Sequence, residues 1–231
     1  MFPRSYDRVL RSLGLAVLVA LAMPTGDSSA HTGPTTASER PTDARTLLAM
    51  LASVEGLEAR FVEHKKLALL RAPLRSEGRI YFMRPGHLAR IVETPSASSV
   101  RIGPSSLDVK DASGEQRFDL RSRPDIKMFV ESFVHVVAGN YDALASTYAL
   151  SFRAPTDADG DWLLTLTPRR KPLSELVARL EISGRGFAVD TVRVIETRGD
   201  STEITLEAVD HQRRFSADEQ RRLFGLQTTT P

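Results

Sequence analysis

Apolar positions along the chain recur first every three or four residues and then every second residue. Leu47, Leu48, Leu51 and Val54 fall on one helical face, behind Thr42 or Asp43 as the cap. Gly56 is expected to end that helix. From Leu57 the period becomes two. Leu57, Ala59 and Phe61 alternate with Glu58, Arg60 and Val62, in a strand that runs to about Leu67. Ala72-Pro73 and Glu77-Gly78 mark a turn region before a strand from Arg79 to Met83. Pro85-Gly86 turns the chain into a strand from Leu88 to Glu93. Short strands are then expected over 99–102, 106–110 and 116–120, separated by Gly103-Pro104 and Ser113-Gly114.

The alternation then breaks. Ser122 or Arg123 can cap a helix, and Pro124 suits its first position. Phe129, Val130, Phe133, Val134 and Val137 form one apolar stripe that Gly139-Asn140 stops. Tyr141 to Ala145 adds a helical turn. The period of two returns at Tyr148, Leu150 and Phe152, after which residues 157–161 form a hairpin loop. Trp162 to Thr167, Leu176 to Ile182, Ala188 to Glu196 and Glu203 to Val209 are the remaining strands. Gly184 with Gly186, and Arg198-Gly199-Asp200, provide turns. Ser216-Ala217-Asp218-Glu219 is a capping box for a last short helix.

About eleven strands joined by tight turns must pair with antiparallel neighbours. That number is near the limit for one open twisted sheet. The expected fold is therefore mainly β (α+β): a single curved antiparallel sheet, an incomplete barrel of about eleven strands, with amphipathic helices over its concave side.

The first residues belong to a different pattern. Arg4, Arg8 and Arg11 precede an apolar run from Leu13 to Met23, too short for a bilayer of ~30 Å. Ser28-Ser29-Ala30 places small residues where a signal peptidase reads them, so residues 1–30 are expected to be a signal peptide cleaved after about Ala30, with a periplasmic destination. Residues 31–41, rich in Thr, Ser, Gly and Pro, are expected to be a disordered linker, and residues 42–231 the folded domain. With 0 cysteines there is no disulfide, lipobox thiol or thiolate metal site. The net charge is +2, from 31 basic and 29 acidic residues, which is no footprint for nucleic acid.

Several segments carry a resemblance. The helix before Gly56 runs into Leu57-Glu58-Ala59-Arg60-Phe61-Val62-Glu63, which looks like the opening strand of the LolA family with its Phe-x-Gln. Gly78-Arg79-Ile80-Tyr81-Phe82-Met83-Arg84-Pro85-Gly86-His87-Leu88 resembles the family's Gly-x-Leu-x-(apolar)-x-Arg-Pro stretch. Glu93-Thr94-Pro95 and the late strands from Val192 to Leu206 fit the same order. The likeness covers most of residues 42–210. Three departures mark a divergent branch: Glu63 stands for the Gln, Ile102-Gly103-Pro104-Ser105-Ser106-Leu107 lacks the family's turn aromatic, and the family's tail with its final strand is not recognisable after Asp210. The LolA/LolB-like resemblance implies a periplasmic carrier that shields the acyl chains of a lipoprotein or other lipid between inner and outer membrane. It would have an inner-membrane donor complex, an outer-membrane acceptor, transient membrane contact and a monomeric state. A lipid-sensing regulatory or interaction module of the same fold is the alternative, and an envelope enzyme the third.

The resemblance also assigns residues. Arg84 would hydrogen-bond lid backbone and control closing. Phe129, Val130, Phe133 and Val134 would form the lid helix. Phe61, Phe82, Leu150, Phe152, Leu164, Leu166, Leu180 and Ile182 are candidate linings of a greasy hollow beneath it. A ~16-carbon chain in water costs roughly 12 kcal/mol, so a carrier must cover most of it. No catalytic residue, metal site or cofactor is expected. His31, His64, His87, His135 and His211 are not at ligand spacing. Asp157, Asp159 and Asp161 mimic a calcium loop, but Trp162 and Pro168 occupy the positions that need Gly and Glu. Arg169-Arg170-Lys171 and Arg213-Arg214 are basic clusters expected on a solvated surface.

Overall fold

The protein is described from a computed structural model over residues 40–122, 127, 130–131, 134–136, 138–157, 160–186 and 188–226. The expected signal segment, most of the linker, Asp159, Phe129 and Phe133 lie outside the described residues. The first helix, α1, spans Ala44–Leu51. Asp43 caps it, accepting from the Thr46 amide at 2.8 Å. Six strands follow in an unbroken meander: β1 Gly56–Lys66, β2 Leu74–Met83, β3 His87–Thr94, β4 Ser98–Ile102, β5 Ser106–Asp111 and β6 Gly114–Asp119. The described positions between 127 and 136 are helical. Then come α2 Tyr141–Thr147, β7 Tyr148–Arg153, β8 Asp161–Pro168, α3 Leu173–Leu176, β9 Val177–Arg185, β10 Thr191–Glu196, β11 Ser201–Asp210 and α4 Ala217–Phe224.

All eleven strands form one sheet in the order β6-β5-β4-β3-β2-β1-β11-β10-β9-β8-β7. Two meanders thus run outward from a central seam where β1 pairs antiparallel with β11, Phe61 opposite Leu206. β6 and β7 are the free edges, so the barrel is incomplete, as the strand count implied. Alternation sets the two faces. Leu57, Ala59 and Phe61 of β1, Leu164 and Leu166 of β8 and Leu180 and Ile182 of β9 join Leu47, Leu48 and Leu51 of α1 in one core on the concave side. Tyr81 and Ala89 point the other way. They meet Phe215, Leu223 and Phe224 in a smaller core where α4 covers the convex face.

Local expectations fail where a distant backbone intrudes. Gly56 does not end α1, which stops at Leu51; it opens β1. A Cβ on Gly56 would sit 2.2 Å from the Arg213 carbonyl oxygen, so the glycine serves a close chain approach. Glu77-Gly78 is not a turn but part of β2, at a register shift against β3. A Cβ on Gly78 would lie 1.9 Å from the Ile91 oxygen, which explains why the residue is glycine. Gly184 likewise lies within β9, and only Gly186, at φ 52°, makes the turn.

Candidate functional site

The candidate site is the concave face with the helices upon it. Cross-strand register arranges the expected lining residues in rows. Phe152 of β7 faces Leu164 of β8, which faces Ile182 of β9; Leu150, Leu166 and Leu180 form the next row. Across the seam, Phe61 lies opposite Gly78 and Leu57 opposite Phe82. The eight residues therefore share one face, although Leu150 and Phe152 are only half-buried because β7 is an edge strand. Phe152 stacks on Trp162, with ring centroids 6.5 Å apart.

Six of the eight expected lining residues, Phe61, Phe82, Leu164, Leu166, Leu180 and Ile182, are closely packed. Phe61 and Phe82 are 1% exposed, Leu164 and Leu166 0%, and Leu47 and Leu48 of α1 0%. The physical reason lies in α1: its apolar stripe inserts into the curve of the sheet and takes the volume that acyl chains would need. Val130 is buried in the same core and Val134 packs against it. The interposed helical segment thus also contributes to the cover.

Arg84 closes one rim. Its Nε donates to the Val54 carbonyl at 2.8 Å, and its Nη2 donates to the Ala52 carbonyl. Its own amide donates to Glu55 at 3.0 Å. Among the described residues Arg84 thus holds the exit of α1. The reason is positional: β2 ends at Met83, opposite Gly56 of β1, just where the chain leaves α1. The interposed segment meets the same rim two residues later, since a Cβ on Gly86 would lie 3.3 Å from Val134 Cγ1. It also meets α1 through Gly139, at φ 66°, whose added Cβ would fall 2.0 Å from the Leu48 oxygen.

A polar group inside the concave face escaped notice in the sequence. Glu63 and Arg90 are buried, and Arg90 Nη2 lies 2.8 Å from Glu63 Oε2. Ser76 donates its hydroxyl to Glu63 at 3.1 Å, and the Arg90 guanidinium stacks 4.5 Å from the Phe61 ring centroid. Arg90 Nε has no hydrogen-bond partner. Burial lowers the Arg90 pKa, against the opposing pull of Glu63. The one available signal was the charged residue at the position where the family resemblance places a Gln.

A surface depression of about 480 Å³ lies beside α1, lined by Arg40, Arg45, Thr46, Ala49 and Met50. It is wide open and touches none of the concave residues. The basic clusters divide. Arg213 is built into a network, 2.9 Å from Glu58 and paired with Glu219. Arg169 donates to the Tyr148 carbonyl at 2.9 Å, while Arg170 is exposed. No group of three or more metal-ligating side chains occurs among the described residues.

No curated protein sequence matches the chain. Among solved structures, a LolA superfamily protein from Nitrosomonas europaea aligns with a TM-score of 0.41 at 9% identity, over 78% of this chain and 97% of that one. A DUF1329 family protein from Desulfovibrio piger aligns at 0.45 and 13% identity, over 75% and 92%. A MucA/MucB complex from Pseudomonas aeruginosa contains a chain that aligns at 0.48 and 14% identity, over 77% and 60%. A sequence profile described as outer membrane lipoprotein carrier protein LolA-like matches residues 36–217. The match spans most of the chain, and this protein belongs to that LolA-like family.

Proposed function

We propose that the protein is a periplasmic carrier that shields the acyl chains of a lipoprotein or other lipid between the inner and outer membranes. The observation that carries this reading is the way the concave face is covered. Its apolar rows are roofed by a short helix, α1, whose exit is held by polar contacts from a single arginine. Removing α1 would expose a trough of Phe61, Phe82, Leu164, Leu166, Leu180 and Ile182. Acyl chains entering it would replace Leu47, Leu48 and Leu51 at similar apolar area, so the exchange is nearly balanced and delivery reversible. The carrier is thus closed when empty and opens only for cargo. The donor and acceptor would be membrane-bound complexes, the protein a monomer, and no chemistry on the cargo is involved.

The test is lipid mass spectrometry on protein purified from the periplasm of expressing cells. Stoichiometric acylated cargo is expected. Protein that emerges lipid-free, and that fails to take up a fluorescent fatty acid after mild delipidation, would remove the carrier reading. Turnover of an envelope lipid would replace it with an enzyme.

A further inference from the structure

The large apolar side chains that stand exposed among the described residues are Leu69 at 98%, Leu70 at 48% and Leu74 at 51%. All three belong to one feature, the hairpin tip between β1 and β2. Scattered exposed leucines need no explanation; three gathered at one tip do. The tip is not loose chain. The Ala68 amide donates to Asp200 Oδ1 at 2.8 Å, anchoring it to the β10–β11 turn, and the Leu70 amide donates to the Leu67 carbonyl at 2.9 Å. Hydrogen bonds thus hold the leucines out in water instead of letting them fold back on the sheet.

The charges around the tip are of one useful sign. Lys66 and Arg71 are exposed beside the leucines. The nearby carboxylates are engaged. Glu196 lies 3.9 Å from Lys65, Glu77 pairs with Arg75, and Asp200 accepts from the loop itself. The antiparallel register places the β8–β9 connection at this same end of the sheet, because Lys66 faces Ser201, Glu196 faces Val177 and Tyr148 faces Pro168. Arg170, exposed in that connection, therefore lies at the same end, four strand spacings of roughly 4.8 Å from β1. Apolar side chains at the apex with basic residues behind them form the pattern that suits an anionic bilayer. The leucines enter the acyl boundary and the cations meet headgroup phosphates.

We propose that the β1–β2 hairpin tip is a membrane-docking element, inserting Leu69, Leu70 and Leu74 into an anionic lipid surface while Lys66, Arg71 and Arg170 contact its headgroups. The tip lies at the far end of β1 from Arg84, roughly 33 Å away for an 11-residue strand. The protein would therefore stand on the bilayer with the α1 exit pointing away from it. The inference does not depend on the carrier reading, since a lipid sensor of this fold would dock in the same way.

The chain has no cysteine, so Ala72→Cys creates a single labelling site in the tip without touching a leucine. The full protein carrying an environment-sensitive fluorophore there is mixed with vesicles of phosphatidylethanolamine containing about one-quarter phosphatidylglycerol. A blue-shifted, intensified emission is expected, weaker with phosphatidylcholine alone and reduced by salt. Adding Leu69→Ser and Leu70→Ser should weaken the response at least tenfold. Thermal unfolding should change little, because Leu69 is almost wholly exposed and Leu70 about half exposed. A label on Glu115→Cys, on the free edge strand β6, should stay aqueous. An Ala72→Cys label that remains aqueous at saturating anionic vesicles, or a response that survives the serine substitutions, would overturn the proposal. Docking by protein that proves unable to take up any lipid would leave this inference standing and remove the carrier reading alone.

Discussion

The carboxylate of Glu63 and the guanidinium of Arg90 meet at 2.8 Å inside the concave face, two strands apart and almost wholly out of water. Glu63 follows Phe61 on the same face of β1, and Arg90 lies between Leu88 and Val92 on β3. The residue on β2 between them is Gly78, opposite Phe61, so no side chain blocks the reach across. An ion pair in such a place is poor evidence for stability in itself, because two charges must be stripped of water. Its consequence is that neither partner can be changed alone.

Glu63→Gln, which restores the residue of the family motif, should destabilise the protein by about 3 kcal/mol, since it leaves the Arg90 charge buried without a counter-charge. The double substitution Glu63→Leu with Arg90→Met should recover to within about 1 kcal/mol of the parent, because a pair replaced by apolar groups of similar volume is close to neutral. Denaturant unfolding of the parent, the Glu63→Gln variant and the double variant measures this. A single variant as stable as the parent would mean the pair is solvated.

How much of this was legible depended on the range of the interaction involved. Strands such as β1, β7 and β8 could be read from alternation because one face of each packs on the core and the other meets water. The Ser216 capping box formed as expected, with the Ser216 amide donating to Glu219 at 2.8 Å. These signals are local. Gly56 and Gly78 misled because their roles are set by the Arg213 and Ile91 carbonyls, which come near only in the fold. The four-residue helix α3 has too few positions to show a period. Shared facing of the candidate lining residues followed from period two, but whether helices would fill the trough did not, since an apolar stripe looks the same whether it seals a core or caps a cavity. Which main-chain carbonyls Arg84 meets near α1 was not legible, because backbone groups leave no mark in side-chain pattern.

Gly139 provides a test of how closely the interposed segment meets α1. Gly139→Ala would bring a Cβ to 2.0 Å from the Leu48 oxygen at a φ of 66°. Left-handed strain of roughly 1–2 kcal/mol then adds to a clash with backbone, for a total loss of about 2–3 kcal/mol. Gly199→Ala, at φ 91° with nothing near its side, should lose only the strain. Equal losses in chemical denaturation would show that the segment yields at no cost.

His87 makes the convex core sensitive to acid. It is 9% exposed, its ring centroid lies 6.1 Å from that of Phe224, and its Nδ1 has no hydrogen-bond partner. Burial lowers its pKa from the ordinary 6.5, so the folded chain holds this proton more weakly than the unfolded chain. Stability from this group is therefore complete above pH 6.5 and declines as pH falls from 6.5 through the lower folded value. His135 and His211 are shifted the same way, also chiefly by burial. Thermal midpoints taken across this range should fall on the acid side, and His87→Phe should flatten part of the fall. A His87→Phe profile parallel to the parent would show that His87 does not titrate in that interval.

Arg84 bears most directly on how cargo would enter. Its guanidinium satisfies the Ala52 and Val54 carbonyls, two groups at the end of α1 that have no partner inside the helix. Arg84→Leu leaves them to water at the rim and should cost the empty, closed protein about 1–3 kcal/mol. A lipid-loaded form with α1 displaced never made those bonds and loses nothing. The substitution thus shifts the balance toward the loaded form, and every 1.4 kcal/mol of that shift is tenfold in apparent affinity. Arg84→Leu should bind a fluorescent fatty acid roughly tenfold more tightly and release it more slowly, while Arg84→Lys, with one ammonium for two carbonyls, should fall between. Stopped-flow displacement with excess unlabelled fatty acid reads the release rate. If parent and Arg84→Leu release at the same rate with the expected loss of stability in the empty protein, then α1 does not move to admit lipid and the arginine only fastens the fold.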